Sequence, residues 1–262
     1  MSDSPTNTGA DLIAHQQDGV LRLTIQRESR RNAISPAVIN ALAAALTSAN
    51  SDRSLRAIVL TGAGDKAFCA GADLQSGQSF QFDYAEPTQG FANLLRLSRQ
   101  MTVPMVARVN GACMAGGMGL LAMCDLALAA PHAQFGLPEV KVGVFPAQVL
   151  SVLNGLIGAR ALTELCITGE PIGAEEALRL GLINRVSEDL DAGVSALLNR
   201  FLDKSPAAIR RGLYLMKRMG AMSFEESMAF TESQIGLIAL TEDAAEGQAA
   251  FREKRPPRWS GR

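Results

Sequence analysis

Aromatic side chains are scarce: ten phenylalanines, two tyrosines and one tryptophan in 262 residues. A base-stacking platform for single-stranded nucleic acid therefore lacks its material. A net charge of −1 offers no electrostatic attraction to phosphate backbones or anionic membranes. The four cysteines, Cys69, Cys113, Cys124 and Cys166, form no CxxC pair and have no companion histidines. A disulfide framework and a metal site both lack support, and reduced cytoplasmic thiols are the simpler expectation. Histidine is rarer still. His15 falls in a strand and His132 in a loop after Pro131, so acid–base chemistry is left to carboxylates. No apolar run approaches the ~20 residues needed to span a bilayer. The opening MSDSPTNTGAD has no basic, apolar and small-residue succession of a secretory signal. Residues 1–10 read as a disordered leader, and the expectation is a soluble cytoplasmic protein without nucleic-acid or membrane partners.

What is present is a composition with 47% hydrophobic and 19% charged residues, enough for one large core or a core with a smaller companion. Val20–Ile25 alternates apolar and polar side chains as a strand does. Ser35 before Pro36 is an N-cap followed by proline at the first helical position, and a helix follows over 38–49. Ala57–Thr61 is apolar without alternation, the pattern of a strand covered on both faces. Phe91–Met101 has helical spacing, Val103–Val109 reads as a strand, and so does Asp125–Ala129. Residues 75–89 have no periodicity and read as a mobile segment. Beyond Pro146 the spacing predicts helices over 147–157, 159–167, 173–180, 190–202, 205–219, 223–237 and 241–253, interrupted by a strand at Leu182–Val186. Strands alternating with helices predict an α/β core over 11–195, and 196–262 reads as a helical C-terminal region.

The chain is organised around Asn110–Asp125, NGACMAGGMGLLAMCD. A strand ends at an Asn-Gly turn, a cluster of tiny residues follows, and Leu120–Met123 reads as a helix. A glycine-rich turn feeding a helix leaves backbone N–H groups unpaired and lets a ligand approach closely. A second such cluster, GAGDKAFCAGADL, spans 62–74. Two N–H groups converging from separate turns, one from Cys69–Asp73 and one at Gly116, would form an oxyanion hole able to stabilise a thioester enolate. Each donor in such a hole is typically worth roughly 3 kcal/mol. Glu139, between Leu137-Pro138 and Val140, is the carboxylate placed to serve as a general base if half-buried; a solvated loop glutamate is the alternative. Asp125 reads as structural, and Asp73 as a residue that could also cap a following helix.

The stretches AFCAGADL, NGACMAGGMGLLAMCDLALAA, AQFGLPEVKVGVFP, ITGEPIGAEEALRLGLINRV and EDAAEGQAAFREKR closely resemble the enoyl-CoA hydratase/isomerase (crotonase) family, in the family's order and spacing. The resemblance spans about residues 11–258. It implies a spiral of ββα repeats with a helical C-terminal trimerisation region, assembled as a homotrimer or a dimer of trimers. It implies an acyl-CoA thioester substrate, with coenzyme A entering only as part of that substrate and no separate cofactor or metal. It places the oxyanion donors at the N–H groups of Ala72 and Gly116. Ala70, Gly71, Asp73 and Leu74 would lie along the adenine and pantetheine arm, and Phe251 and Lys254 in a segment that reaches the CoA of a neighbouring subunit.

The resemblance breaks at one catalytic position. Hydratases of the family use two glutamates; Glu139 matches the second, and the first falls on Gly119. A missing acid/base group commonly costs ~10²–10⁴-fold in rate. Catalytic aspartates of related activities would fall near Pro146 and Ala147, which cannot replace it. One carboxylate is what the family's Δ3,Δ2-enoyl-CoA isomerases use, so isomerisation leads. An atypical hydratase of an unusual or branched enoyl-CoA, and a non-catalytic acyl-CoA-binding relative, stand as alternatives. Gly119 itself costs a helix about 1 kcal/mol against alanine; room for substrate bulk and close helix packing both account for it.

Overall fold

The structure is a computed structural model that describes residues 6–7, 11–73, 85 and 88–262. The strands are β1 (Thr6–Asn7), β2 (Leu12–Gln17), β3 (Val20–Ile25), β4 (Ala57–Gly62), β5 (Ala67–Cys69), β6 (Met105–Val109), β7 (Ala112–Met114), β8 (Leu126–Ala129), β9 (Gln134–Gly136), β10 (Ile172–Gly173) and β11 (Arg185–Val186). The helices are α1 (Pro36–Ser51), α2 (Gly90–Ser98), α3 (Gly116–Ala122), α4 (Ala147–Leu153), α5 (Ala159–Thr168), α6 (Ala174–Arg179), α7 (Leu190–Leu198), α8 (Pro206–Met219), α9 (Phe224–Ala239) and α10 (Glu242–Glu253). Two residues of the stretch read as a leader, Thr6 and Asn7, pair antiparallel with β2; the rest of that stretch, and most of 75–89, lie outside the described residues.

The strands form two sheets, one ordered β1-β2-β3-β4-β6-β8-β11 and one ordered β10-β9-β7-β5. From β4 onward the chain alternates between them. It lays a strand in the large sheet (β4, β6, β8), then one in the small sheet (β5, β7, β9), and then turns into helix. Each circuit sets its strands parallel beside those of the circuit before. This is the expected spiral of ββα units.

The unalternating β4 is explained by its surroundings. Ile58 and Leu60 enter the main core with Leu42 and Leu46 of α1. Ala57 and Val59 enter a second cluster with Val106, Leu128 and Leu190, Val194 and Leu197 of α7. Ser35 caps α1 by accepting a hydrogen bond from Val38 N at 3.2 Å, with Pro36 in the first turn, as the sequence predicts.

The turn between β4 and β5 is held by buried amides. Asn32 Nδ2 donates to the carbonyls of Ala63 (3.0 Å) and Ala67 (2.7 Å), and Asn110 Nδ2 to that of Gly64 (2.7 Å). Two basic residues dock α8 on the core. Arg210 donates to the carbonyl of Asn50 at 3.0 Å, in the last turn of α1 whose carbonyls lack helical partners, and to that of Leu55 in the following loop at 3.2 Å. Lys217 Nζ lies 2.9 Å from Asp125 Oδ1 and donates to the carbonyls of Ser98 and Met101. Asp125 Oδ2 accepts from Met105 N at 2.8 Å. The structural role expected for Asp125 is the one it has.

Candidate active site

β5, β7 and β9 are adjacent and mutually parallel, so the segments that leave their C-terminal ends emerge side by side. Those segments are Ala70–Asp73, Ala115–Gly116 and Leu137–Glu139, which carry both candidate donors and the candidate base. Backbone hydrogen bonds anchor two of them to the strands and loop alongside. Ala115 N donates to the carbonyl of Gly136 at 2.9 Å, and Ile34 N donates to the carbonyl of Gly71 at 2.7 Å.

Ala72 lies in a parallel bridge with Ile34, whose carbonyl accepts from Asp73 N at 3.0 Å. In that pairing the flanking residues bond to Ile34, and the N–H of Ala72 is turned away from it. Gly71 has φ +96°, and a Cβ built there would stand 2.7 Å from Ala115 Cβ and 3.5 Å from Gly116 N. Only glycine brings the turn so close to the start of α3. The N–H of Gly116 is the first of α3, hence without an acceptor inside the helix. Its N-cap, Ala115, is held at φ 52°, ψ −121°, a strained conformation for a residue with a side chain. The sequence placed the helix at 120–123. It begins at Gly116, because Gly117 and Gly119 pack inside it, where larger residues would collide.

Glu139 sits in the first turn of a short 3-10 segment, Pro138–Val142. It is half-buried, and its Oε2 is sealed from solvent without a hydrogen-bond partner among the described residues. Burial pushes its carboxyl above the ordinary value, against a weaker opposing pull from its own backbone N–H. Glu139 is thus half-buried, not a fully solvated loop residue. The thiols offer no competing nucleophile. All four cysteines are free, burial pushes Cys69 up to about 12, and Cys113, Cys124 and Cys166 are also raised, chiefly by burial. Among the described residues no group of three or more His, Cys, Asp or Glu side chains could hold a metal ion, and no helix is long and apolar enough to cross a membrane.

The family model for enoyl-CoA hydratase/isomerase matches residues 15–262. The chain belongs to the enoyl-CoA hydratase/isomerase family. It is 32% identical to a crotonyl-CoA hydratase of Syntrophomonas wolfei subsp. wolfei, over 94% of this chain and 96% of that protein. It is 33% identical to a carnitinyl-CoA dehydratase of Escherichia coli O157:H7, over 93% and 95% of the two chains. Among solved structures it resembles an enoyl-CoA hydratase from Bacillus anthracis, with TM-score 0.90 and 28% identity over 96% of this chain and 100% of that one. An enoyl-CoA hydratase from Mycobacterium smegmatis gives TM-score 0.87 and 33% identity over 96% and 99%. The fold is therefore the crotonase fold, and the chain is an enzyme of the hydratase/isomerase family.

Within that family the notable position is Gly119. A Cβ built there would lie 3.0 Å from Phe91 Cζ and 3.5 Å from Val149 Cγ2. One built on Gly116 would lie 2.9 Å from Ile34 Cδ1 and 3.7 Å from Phe91 Cζ. A side chain at 119 would crowd the Phe91 ring, and one at 116 would crowd Ile34. The Asp73 carboxylate is 2.7 Å from Arg27 Nη2, and the segment it was expected to cap lies outside the described residues. Arg27 also pairs with Asp11 at 3.1 Å and donates to the carbonyl of Ala33 at 2.6 Å, clamping the 70–73 turn to the approach to α1.

Ala70 and Gly71 stand beside the donors, while Leu74 lies outside the described residues. Phe251 is 84% exposed, and Lys254 is exposed at the C-cap of α10. That helix packs mainly on α8 and α9, so within one chain these two are set apart from the turns. A cavity of about 580 Å³ between the end of α1 and α8 contains none of the candidate residues. Ile34, Phe91, Val149 and Arg27 are the site residues that sequence reasoning missed. Each reaches the turns through the fold rather than through spacing.

Proposed function

We propose that this family member is an enoyl-CoA isomerase that moves a double bond between C3 and C2 of a thioester with one carboxylate, Glu139. The thioester carbonyl accepts hydrogen bonds from the N–H groups of Ala72 and Gly116, which lowers the cost of enolate formation. Glu139 takes a proton from C2, and its raised pKa brings it nearer to a base's working range. The electron pair delocalises through the carbonyl and the C3–C4 double bond. Glu139 returns the proton at C4, so no water is consumed and no other acid is required.

The observation that carries this reading is the apolar lining where a second carboxylate would stand: Phe91 and Val149 close on Gly119. Ala70–Leu74 then follow the CoA arm. The substrate's coenzyme A is the only cofactor involved. A homotrimer or a dimer of trimers is proposed on the apolar side chains that the C-terminal helices leave exposed, such as Phe224 at 73% and Leu240 at 83%. In such an assembly Phe251 and Lys254 reach a neighbour's CoA. Four free thiols fit a cytoplasmic setting.

Hydration is the second reading, favoured by relatives named hydratase and dehydratase. It requires another group to order the water that two glutamates would hold. Purified protein offered a 3-enoyl-CoA and, separately, a 2-enoyl-CoA decides between them. Isomerisation predicts 2-enoyl-CoA from the first and little 3-hydroxyacyl-CoA from the second; dominant 3-hydroxyacyl product would establish hydration.

A further inference from the structure

We propose that Phe91 sets acyl-group selectivity in this enzyme, because its ring occupies the volume directly over the candidate donor Gly116 and the missing-carboxylate position Gly119. The inference rests on the isomerase reading of Glu139 and goes beyond it by naming the residue that measures the substrate. Phe91 is the second residue of α2, and its Cζ lies 3.7 Å from a Cβ position on Gly116 and 3.0 Å from one on Gly119. The same ring edge therefore faces two successive turns of α3. An acyl chain whose carbonyl oxygen reaches the N–H of Gly116 carries its C2–C4 atoms past this ring.

Ile34 Cδ1 lies 2.9 Å from the Gly116 Cβ position, and Val149 Cγ2 lies 3.5 Å from the Gly119 one. The side chains nearest these two glycine positions are thus apolar. A carboxylate introduced at 119 would meet the ring at its first carbon and lose its hydration against the same three side chains. The pocket accordingly accepts an unbranched apolar chain, and its width at C3–C4 is set by how far the Phe91 ring can withdraw.

The test compares kcat/KM for a straight-chain 3-enoyl-CoA and its C3-methyl-branched counterpart in wild type, Phe91→Leu and Phe91→Ala. Glu139→Gln serves as the chemical control, and the fold of each variant is checked by circular dichroism. A methyl group in an apolar pocket is worth about 10-fold or more in kcat/KM. The branched-to-straight ratio is therefore expected to rise about tenfold in Phe91→Ala, with Phe91→Leu between. Phe91→Leu keeps an apolar side chain and carries the comparison if Phe91→Ala fails to fold. An unchanged ratio in a folded variant whose turnover still depends on Glu139 overturns the role of Phe91. Turnover that survives Glu139→Gln instead overturns the isomerase reading beneath it.

Discussion

Replacing Gly117 by alanine tests whether the register of the two turns makes the site. A Cβ at 117 would stand 2.2 Å from the carbonyl oxygen of Cys69 and 3.1 Å from its carbonyl carbon. An unstrained carbon–oxygen contact is about 3.3 Å, so α3 and the end of β5 must separate by roughly 1 Å. Both atoms are backbone or backbone-bound, and neither can rotate away. The displacement falls between Gly116 and the segment Ala70–Ala72. A misplacement of this size costs on the order of 10²-fold in rate when geometry carries catalysis. Overpacking adds a stability loss of about 1–3 kcal/mol.

For a chain of this length 1 kcal/mol corresponds to about 2–4 °C in Tm. The expected variant is folded, melts several degrees lower and turns over about a hundredfold more slowly, measured by calorimetry and by steady-state kinetics on an enoyl-CoA. Gly212→Ala is the control. That glycine lies in α8 with nothing within 4 Å of its Cβ position, and alanine should stabilise the helix by about 1 kcal/mol without touching rate. A Gly117→Ala protein with lowered Tm and wild-type kcat would refute the idea that spacing between the turns matters.

Lys217→Met should destabilise by about 3 kcal/mol, the low end for breaking a buried pair, because both partners are slightly exposed, at 11% and 15%. The loss should be smaller in an Asp125→Asn background, read by denaturant melts. Ala115→Gly relieves the positive φ at the start of α3 and should raise stability by about 1 kcal/mol, with a drop in kcat if the strain holds Gly116 in place. Glu139→Gln should raise stability at neutral pH. The folded pKa lies above the ordinary 4.5, so the folded state binds more protons than the unfolded one through that window. Stability then falls as pH rises through the folded pKa. The Tm gain of Glu139→Gln should therefore vanish below pH 4.5; a gain that persists there would argue against burial as its cause.

Several helices were legible because they carry their own local signals. Ser35-Pro36 marks the start of α1, and the capping box at Ser223 and Glu226 marks that of α9. The strands β5, β7 and β9 were not. They are three residues long each, made largely of small side chains, and exist through pairing and the buried Asn32 and Asn110 amides. Of the site, the turns and Glu139 were legible as residue types in order. Whether Glu139 was buried was not, since that depends on how the turn after β9 packs. Phe91 reads as one apolar position among several on α2; nothing local shows that its ring faces Gly119. The pairing of Asp73 with Arg27 was not legible either, since the two lie 46 residues apart.

A 3-enoyl-CoA deuterated at C2, turned over in ordinary water, puts the single-carboxylate mechanism to its sharpest test. If one carboxylate both takes the C2 deuteron and returns it, transfer to C4 is the expected outcome, favoured by the burial of Glu139 Oε2, which has no hydrogen-bond partner among the described residues. Mass spectrometry and NMR of the 2-enoyl-CoA product should find deuterium at C4, with Glu139→Gln slowed by about 10²–10⁴-fold. Product carrying only solvent hydrogen at C4, together with undiminished turnover in Glu139→Gln, would contradict it.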